Sequence, residues 1–485
     1  MNKLNYAKRI CGVSLGLAIL ALCVSPASAS DWPRFHGPDG NGISPDAQPL
    51  PVKWSDTENL QWKCKLPGPG SSSPIVVGRR VLVTCWTGYG LDRDNVGDQQ
   101  DLRRHLICLD RASGKVLWDK SIEPVLPEDP YSGNFTQHGY ASHTPVSDGQ
   151  RVYAFFGKTG VLAFDLEGKK LWQTGVGTGS GTHGWGTASS PILYKDLVIV
   201  PAFAESESLV ALNKETGEEV WRRKEASFAS TWGTPILVEC GKERTDLVIM
   251  VPAKIWGLNP DDGKVRWQCE GLSSDSICAS AFAHYDVVYA METGPRGGGT
   301  MAVRAGGEGD VTKSNVFWRG SERSRIGTPV LDDGRIYWFG NRTANCVDAA
   351  TGKPVYQSRV GGGATAAEAP KAAEPGPGPG PGQPGRGGPG RRPGGGFGGR
   401  GGRGGGMMGQ DYSSPVLANG KIFFLSRTGE AFVYATGPEF KLLGQNRFGS
   451  DGGDFSATPA VSDGQLFIRS SKYLYCVADS ARRKP

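Results

Sequence analysis

"AFDLEGKKLWQTG", residues 163–175, decides the fold because the chain writes its frame again and again: "CLDRASGKVLWDK" at 108–120, "ALNKETGEEVWRR" at 211–223 and "GLNPDDGKVRWQC" at 257–269. Each copy runs from a small residue and an apolar one to Asp or Asn, then a turn with Gly, three residues, and Trp. A catalytic motif is normally written once, so a frame written four times is architecture first. A short Asp or Asn side chain bonds the amides of the turn that follows it, and Gly supplies the positive φ. The result is a tight hairpin that delivers a large ring to a fixed place.

Working outward, a start of one small residue and then proline recurs at Pro74, Pro145, Pro191, Pro235, Pro329, Pro415 and Pro459, with a degenerate copy, "CASAFAHYD", around Ala281. Most starts lie 44 to 48 residues apart. Between start and tryptophan come a short apolar strand, a turn such as "SDG" or "DDG", and a second strand such as "RVYAFF" or "RIYWFG", followed by the third strand and the Gly turn. These strands alternate or run continuously in Val, Ile, Phe and Tyr, and they lack the three-and-four spacing of helical repeats. Four short strands at this period predict an all-β, eight-bladed β-propeller of four-stranded antiparallel blades, starting near 71, 141, 188, 233, 278, 327, 413 and 457.

The two ends sharpen the count. The last unit has strands "AVSDG", "QLFIRS" and "YLYCVAD" and stops without a Trp strand, whereas "NLQWKCKL", residues 59–66, is a Trp strand with no first three strands before it. An N-terminal strand carrying Trp62 is therefore expected to close the last blade. The blade tryptophans Trp62, Trp118, Trp172, Trp221, Trp267 and Trp318 are read as structural, each packing in the seam between neighbouring blades and burying on the order of 150–250 Å².

Residues 1–29 are read apart from the fold. Lys3, Lys8 and Arg9, an apolar run from Ile10 to Val24, and Ala27-Ser28-Ala29 form a secretory signal peptide with cleavage near Ala29. Leu22 stands where a lipoprotein signal needs a small residue before Cys23. No later stretch reaches the roughly 18 to 20 apolar residues of a membrane span. The single domain 30–485 is thus expected in the periplasm or secreted, as a monomeric propeller with no transmembrane segment. Two insertions interrupt it, 87–104 in the first blade and 361–410 between blades six and seven. The second holds 22 Gly and 8 Pro in 50 residues and is expected to be disordered.

Charge excludes a nucleic-acid domain. The formal +6 falls to +3 without the three cations of the leader, and the 361–410 insertion carries +4 of its own, leaving the propeller near −1. "GRGGPGRRPGGGFGGRGGRGGG", 385–406, resembles the arginine-glycine segments of RNA-binding proteins, but in an exported chain it reads as a solvated loop. Eight cysteines remain after the leader is removed. Cys108, Cys346 and Cys476 fill the slot that other copies give to Ala or Gly, so they read as small core residues with free thiols. Cys64, Cys85, Cys240, Cys269 and Cys278 show no framework, and there is no Cys-x-x-Cys-His haem motif.

The frame A-x-D-x-x-x-G-K-x-x-W, seen in "AFDLEGKKLW" and "ICLDRASGKVLW", resembles the repeat of pyrroloquinoline-quinone-type (PQQ-like) eight-bladed propellers. That superfamily holds quinoprotein alcohol dehydrogenases and also cofactor-free relatives such as the propeller lipoprotein of the outer-membrane β-barrel assembly machine. The resemblance implies the fold; activity belongs to grafted loops. For a dehydrogenase it implies an adjacent cysteine pair, a calcium held by Glu, Asn and Asp, and a catalytic Asp. This chain has no Cys-Cys dipeptide.

Candidate site residues follow from repeat position, because loops that lead into first strands and loops that join second to third strands share one face of a propeller. The first set, His138, Tyr140, His183, Trp185, Trp232 and Arg325, offers rings and polar groups beside Gly for a small planar or polar ligand. The second, Lys158, Lys254, Arg342, Arg427 and Lys472, forms a basic rim for an anionic ligand or surface. His36 reads as a packing residue, and no metal site is expected. The expected function is a non-catalytic binding or scaffold module in the cell envelope with a protein or glycan ligand and no cofactor; the alternative is a dehydrogenase using PQQ and Ca²⁺ on an alcohol or sugar.

Overall fold

Each copy of the frame folds as the last two strands of a four-stranded antiparallel sheet, and eight such sheets make up the computed structural model, which describes residues 31–46, 48–294, 297–340, 342–360 and 410–480. Residues 1–29, expected to be a signal peptide, and, apart from Gln410, the 361–410 insertion lie outside the described residues. Strand accounts for 44% and helix for 6%, which leaves no place for a helical repeat. Blades 1 to 7 take their first strands at Ile75–Val77, Val146–Ser147, Ile192–Tyr194, Ile236–Glu239, Phe282–His284, Val330–Asp332 and Val416–Ala418. Blade 8 is built from Ala460–Ser462, Gln465–Arg469, Tyr473–Ala478 and the N-terminal strand Leu60–Lys65, with Trp62 opposite Cys476. The propeller is closed by mixing its termini, as the missing Trp strand predicted.

The core lies between the blades, where the apolar faces of neighbouring sheets meet. Val152, Leu162 and Phe164 of blade 2 pack with Leu82 and Leu106 of blade 1, for example. The repeated frame locks these seams. Trp118 of blade 1 donates its indole N–H to the carbonyl of Leu166 in the turn of blade 2 at 3.0 Å. Trp62, Trp172, Trp221 and Trp318 do the same to Arg111, Lys214, Pro260 and Ala349 at 2.8–3.1 Å, each in the next blade. The ring lies flat on the turn glycine of that blade: a Cβ on Gly114, Gly217 or Gly263 would stand 2.5–2.6 Å from Trp62, Trp172 or Trp221. Within one copy of the frame, the glycine is the socket for the preceding blade and the tryptophan is the plug for the following one.

The register also explains the cysteines. Cys108 faces Trp118, Cys346 faces Tyr356 and Cys476 faces Trp62, where other blades place Ala163, Ala211 or Gly257 opposite the ring. A small side chain is what the ring leaves room for. All eight described cysteines are free thiols.

One seam departs from the pattern. Blade 5 replaces the Asp-turn-Gly frame with "AGGEGDVTKSN", 305–315, part of which, Gly309–Asp310, joins blade 4 as a parallel fifth strand. Trp267 therefore has no socket ahead and turns back onto its own blade. Its ring lies against Gly257, and its N–H donates to Asp246 Oδ2 at 2.7 Å. Asp246, wholly buried, also accepts from the Gly306 amide at 3.0 Å, from Arg266 at 2.8 Å and from Arg244 at 3.0 Å.

The segment ahead of the closing strand crosses the face opposite the first-strand loops. Trp32 bridges to Val76 in blade 1, Pro33 O accepts the amide of Ser147 in blade 2, Asn41 accepts that of Ala283 in blade 5, and Ile43 bridges to Leu417 in blade 7. His36 is buried there between Gly40 O and Pro415 O, each 3.2 Å from a ring nitrogen, and burial drives its pKa down to about 4 against the pull of those two carbonyls, so it packs as a structural residue.

Candidate functional site

The residue before each proline builds the inner wall of the central channel. The amide of Ser73 donates to Thr144 Oγ1, that of Thr144 to Ser190 Oγ, and the relay continues through Thr234, Ser280, Thr328 and Ser414 to Thr458, each step 2.9–3.1 Å and each one blade further round. A hydroxyl is needed here because the first strand's leading amide has no partner in its own sheet, and a buried orphan N–H costs about 1–3 kcal/mol. The pattern was legible as Ser or Thr before every proline, with Ser280 in the degenerate copy. Its meaning was not, since the acceptor belongs to the next blade.

Eight hydroxyls thus line a cavity of about 140 Å³, to which Phe35 from the crossing segment also contributes. The mouth is framed by Asn134, His138, Trp185, Trp232, Ile326 and Tyr412. Of these, Asn134, Ile326 and Tyr412 carried no sequence signal. They come from loops of different length in different blades.

Local bonds position the mouth. His138 Nε2 lies 2.6 Å from Trp185 O and Nδ1 lies 2.7 Å from Ser142 Oγ. A carbonyl only accepts, so Nε2 carries the proton and Nδ1 accepts from the serine hydroxyl. Burial lowers the pKa of this imidazole further, keeping it neutral. Trp185 and Trp232 meet at 4.8 Å between ring centroids, with His183 stacked 4.9 Å from Trp185 on the outside. Trp232 spends its N–H on Gly186 O at 2.8 Å, so what it presents to the cavity is a ring face.

The other candidates lie apart from the channel wall. Tyr140 is buried in an aromatic cluster with Trp86, Tyr89, Tyr131 and Phe135, its hydroxyl donating to Asp129 O at 2.6 Å. Arg325 holds Glu292 Oε1 at 3.4 Å, Thr293 O at 2.5 Å and Ser276 Oγ at 3.2 Å. Glu292, wholly buried, accepts the amides of Cys278 and Thr293 at 2.7 and 2.9 Å; burial pushes its carboxyl up to about 8 against the pull of those donors and of Arg325.

The five rim cations do not form one surface. Lys158 is buried and bonded to Asp129 at 2.8 Å and Ser180 at 3.1 Å. Arg427 is held by Asp454 and by Gln137 at 2.8 Å, lying 4.8 Å from the Tyr412 ring centre. Arg342 pairs with Glu430 at 3.1 Å. Lys254, bonded to Gln268 at 3.0 Å, and Lys472 are exposed.

A second buried cluster, unread in the sequence, sits beside the funnel between blades 1, 2 and 3. Arg104 and Glu128 form an ion pair of 2.7 Å with both side chains 3% exposed, next to Lys158, His143 and Glu205. Glu205 Oε2 has no hydrogen-bond partner, and burial raises this carboxyl to about 8. Among the described residues no group of three or more His, Cys, Asp or Glu is arranged to hold a metal ion, and no helix is long and apolar enough to cross a membrane.

Eight four-stranded blades closed by an N-terminal strand, sewn together by a Trp-to-Gly frame, define a PQQ-like β-propeller. Residues 25–182 and 102–294, together more than half of the chain, match the family model described as outer membrane protein assembly factor BamB, and the chain belongs to that family. No curated protein matches it by sequence. Among solved structures, BamB from Moraxella catarrhalis is 10% identical with a TM-score of 0.54, covering 88% of this chain and 99% of its own. A europium-containing methanol dehydrogenase is 11% identical with a TM-score of 0.58, covering 93% and 98%. The quinohemoprotein alcohol dehydrogenase from Comamonas testosteroni is 11% identical with a TM-score of 0.55, covering 94% and 82%. Likeness at this identity is likeness of fold.

Proposed function

We propose that this chain is a non-catalytic binding module of the cell envelope, exported by its leader, that takes its ligand at the loop-face mouth of the central channel. The observation that carries the reading is the state of the mouth's polar groups. Arg325 is tied to Thr293 O, Ser276 Oγ and Glu292, Arg427 is neutralised by Asp454, and His138 is held neutral with both ring nitrogens bonded. What is left to a ligand is ring faces and hydroxyl donors, which recognise without supplying an acid, a base or an activated nucleophile. The family description, an outer membrane assembly factor, supports an envelope setting and a protein partner.

The residues present do not fit PQQ with Ca²⁺. A planar tricarboxylate needs cations for its carboxylates, yet the described residues lining the channel carry no charge, and the nearby arginines are already paired. The rings that would have to sandwich it, Trp185 and Trp232, lie 4.8 Å apart on each other. A calcium ion needs an oxygen-rich set, and Glu292, the carboxylate behind the wall, is spent on backbone amides and Arg325.

Incubating the purified protein with the quinone and Ca²⁺ tests the reading. No stoichiometric quinone absorbance and no dye-linked alcohol or sugar oxidation are expected. Turnover with micromolar quinone affinity overturns it.

A further inference from the structure

Resting on the binding reading, we infer that the ligand of the channel mouth is the end of an uncharged oligosaccharide chain. Three features of the cavity choose the class. First, seven of the eight belt hydroxyls accept a neighbour's amide, and among the described residues none of the eight donates its own proton to a protein acceptor. The wall therefore offers a ring of O–H donors and asks for acceptor oxygens. A wholly apolar ligand that displaces water from them leaves those donors unmet, at about 1–3 kcal/mol for each buried group.

Second, the described lining is uncharged, and the arginines behind it are already bonded in place, Arg325 to Thr293 O and Ser276 Oγ and Arg427 to Asp454. An anionic ligand would be desolvated there without a counter-charge, which is the costliest burial of all. Third, Trp185, Trp232 and Tyr412 stand at the mouth, and Trp232 has no N–H to give. Ring faces suit the C–H face of a sugar ring, while sugar hydroxyl and ring oxygens meet the belt.

The floor selects the end of the chain. Phe35, from the segment that crosses the opposite face, lines the inner end of the cavity, whose volume of about 140 Å³ has room for a chain terminus instead of a threaded strand. Asn134, exposed at the rim of this opening, is placed to bond the next residue out.

The test uses the full exported chain and calorimetric titration with maltohexaose, cellohexaose and chitohexaose, beside oligogalacturonate and a β-strand peptide. At least one neutral hexaose is expected to bind with Kd below about 1 mM. Trp185→Ala is expected to weaken it by about tenfold, the size of a lost ring contact. Asn134→Ala, at an exposed position that cannot unfold the propeller, is expected to weaken it by about threefold. Maltohexaose is expected to bind about tenfold tighter than its cyclic six-glucose counterpart. Binding of none of the neutral hexaoses, tighter binding of oligogalacturonate or of the peptide, or equal affinity for the cyclic form overturns the inference. Peptide binding at the mouth would do so while leaving the binding reading standing, whereas quinone turnover would remove both.

Discussion

The seam between blades 3 and 4 and the seam between blades 4 and 5 start from the same residue and end differently. In the first, Trp221 reaches forward, donates to Pro260 O at 3.1 Å and covers Gly263 of the next blade. In the second, Trp267 finds no such turn and folds back onto Gly257 and Asp246. The difference teaches what the frame is for. An indole in a seam needs a floor without a Cβ and an acceptor for its N–H, and either the next blade or its own can supply both.

Breaking the exceptional seam should cost most. Asp246→Ala leaves the Trp267 indole and the Gly306 amide without their acceptor and removes the partner of Arg244 and Arg266. The expected loss is about 3–5 kcal/mol in urea unfolding; a loss under about 1 kcal/mol would show that the parallel strand, not the acid, holds that seam. Gly263→Ala attacks the regular seam, since φ is +70° there and a Cβ meets the Trp221 ring at 2.6 Å. A loss of about 1–3 kcal/mol is expected, and Gly334→Ala, with the same φ but open space around it, should cost less.

The buried acids sharpen the comparison. Asp246 has its hydrogen-bond donors, which hold its carboxyl below the usual range despite burial. Glu205 has an unpaired oxygen, and burial raises it to about 8. The folded chain thus keeps a proton that the unfolded chain releases above about 4.5, so this residue erodes stability as pH rises from about 4.5 to about 8. Glu205→Gln should leave melting unchanged at pH 4 and raise stability by on the order of 1–2 kcal/mol at pH 8; equal effects at both values would mean the carboxyl is not the cause. The smallest effect is expected from Trp221→Phe, which keeps a ring over Gly263 and gives up the bond to Pro260, costing about 1 kcal/mol by thermal melting.

Much of this was legible beforehand, and the residues show why. The blade count, the closing strand at Trp62 and the small slot at Cys108, Cys346 and Cys476 follow from a pattern that each blade repeats locally. The departures lie where one blade answers another. The degenerate copy was visible only at its start, "CASAFAHYD", and nothing in "AGGEGDVTKSN" announces that Trp267 will turn round. Lys158 and Arg427 read as exposed rim cations because their partners, Asp129 and Asp454, lie 29 and 27 residues away. Tyr140 stood beside Gly like the funnel residues but is drawn off by four other rings.

The sequence alone determined a closed eight-bladed propeller, since strand period, turn chemistry and the alternation of socket and plug are all written within a single repeat. Only the tertiary structure decided what the centre of the propeller offers to a ligand. Hydroxyls before proline become a ring of donors when amides reach across to the next blade, and arginines are tied up by groups from other loops. Such properties come from closure around an axis, which brings together residues that no local pattern links.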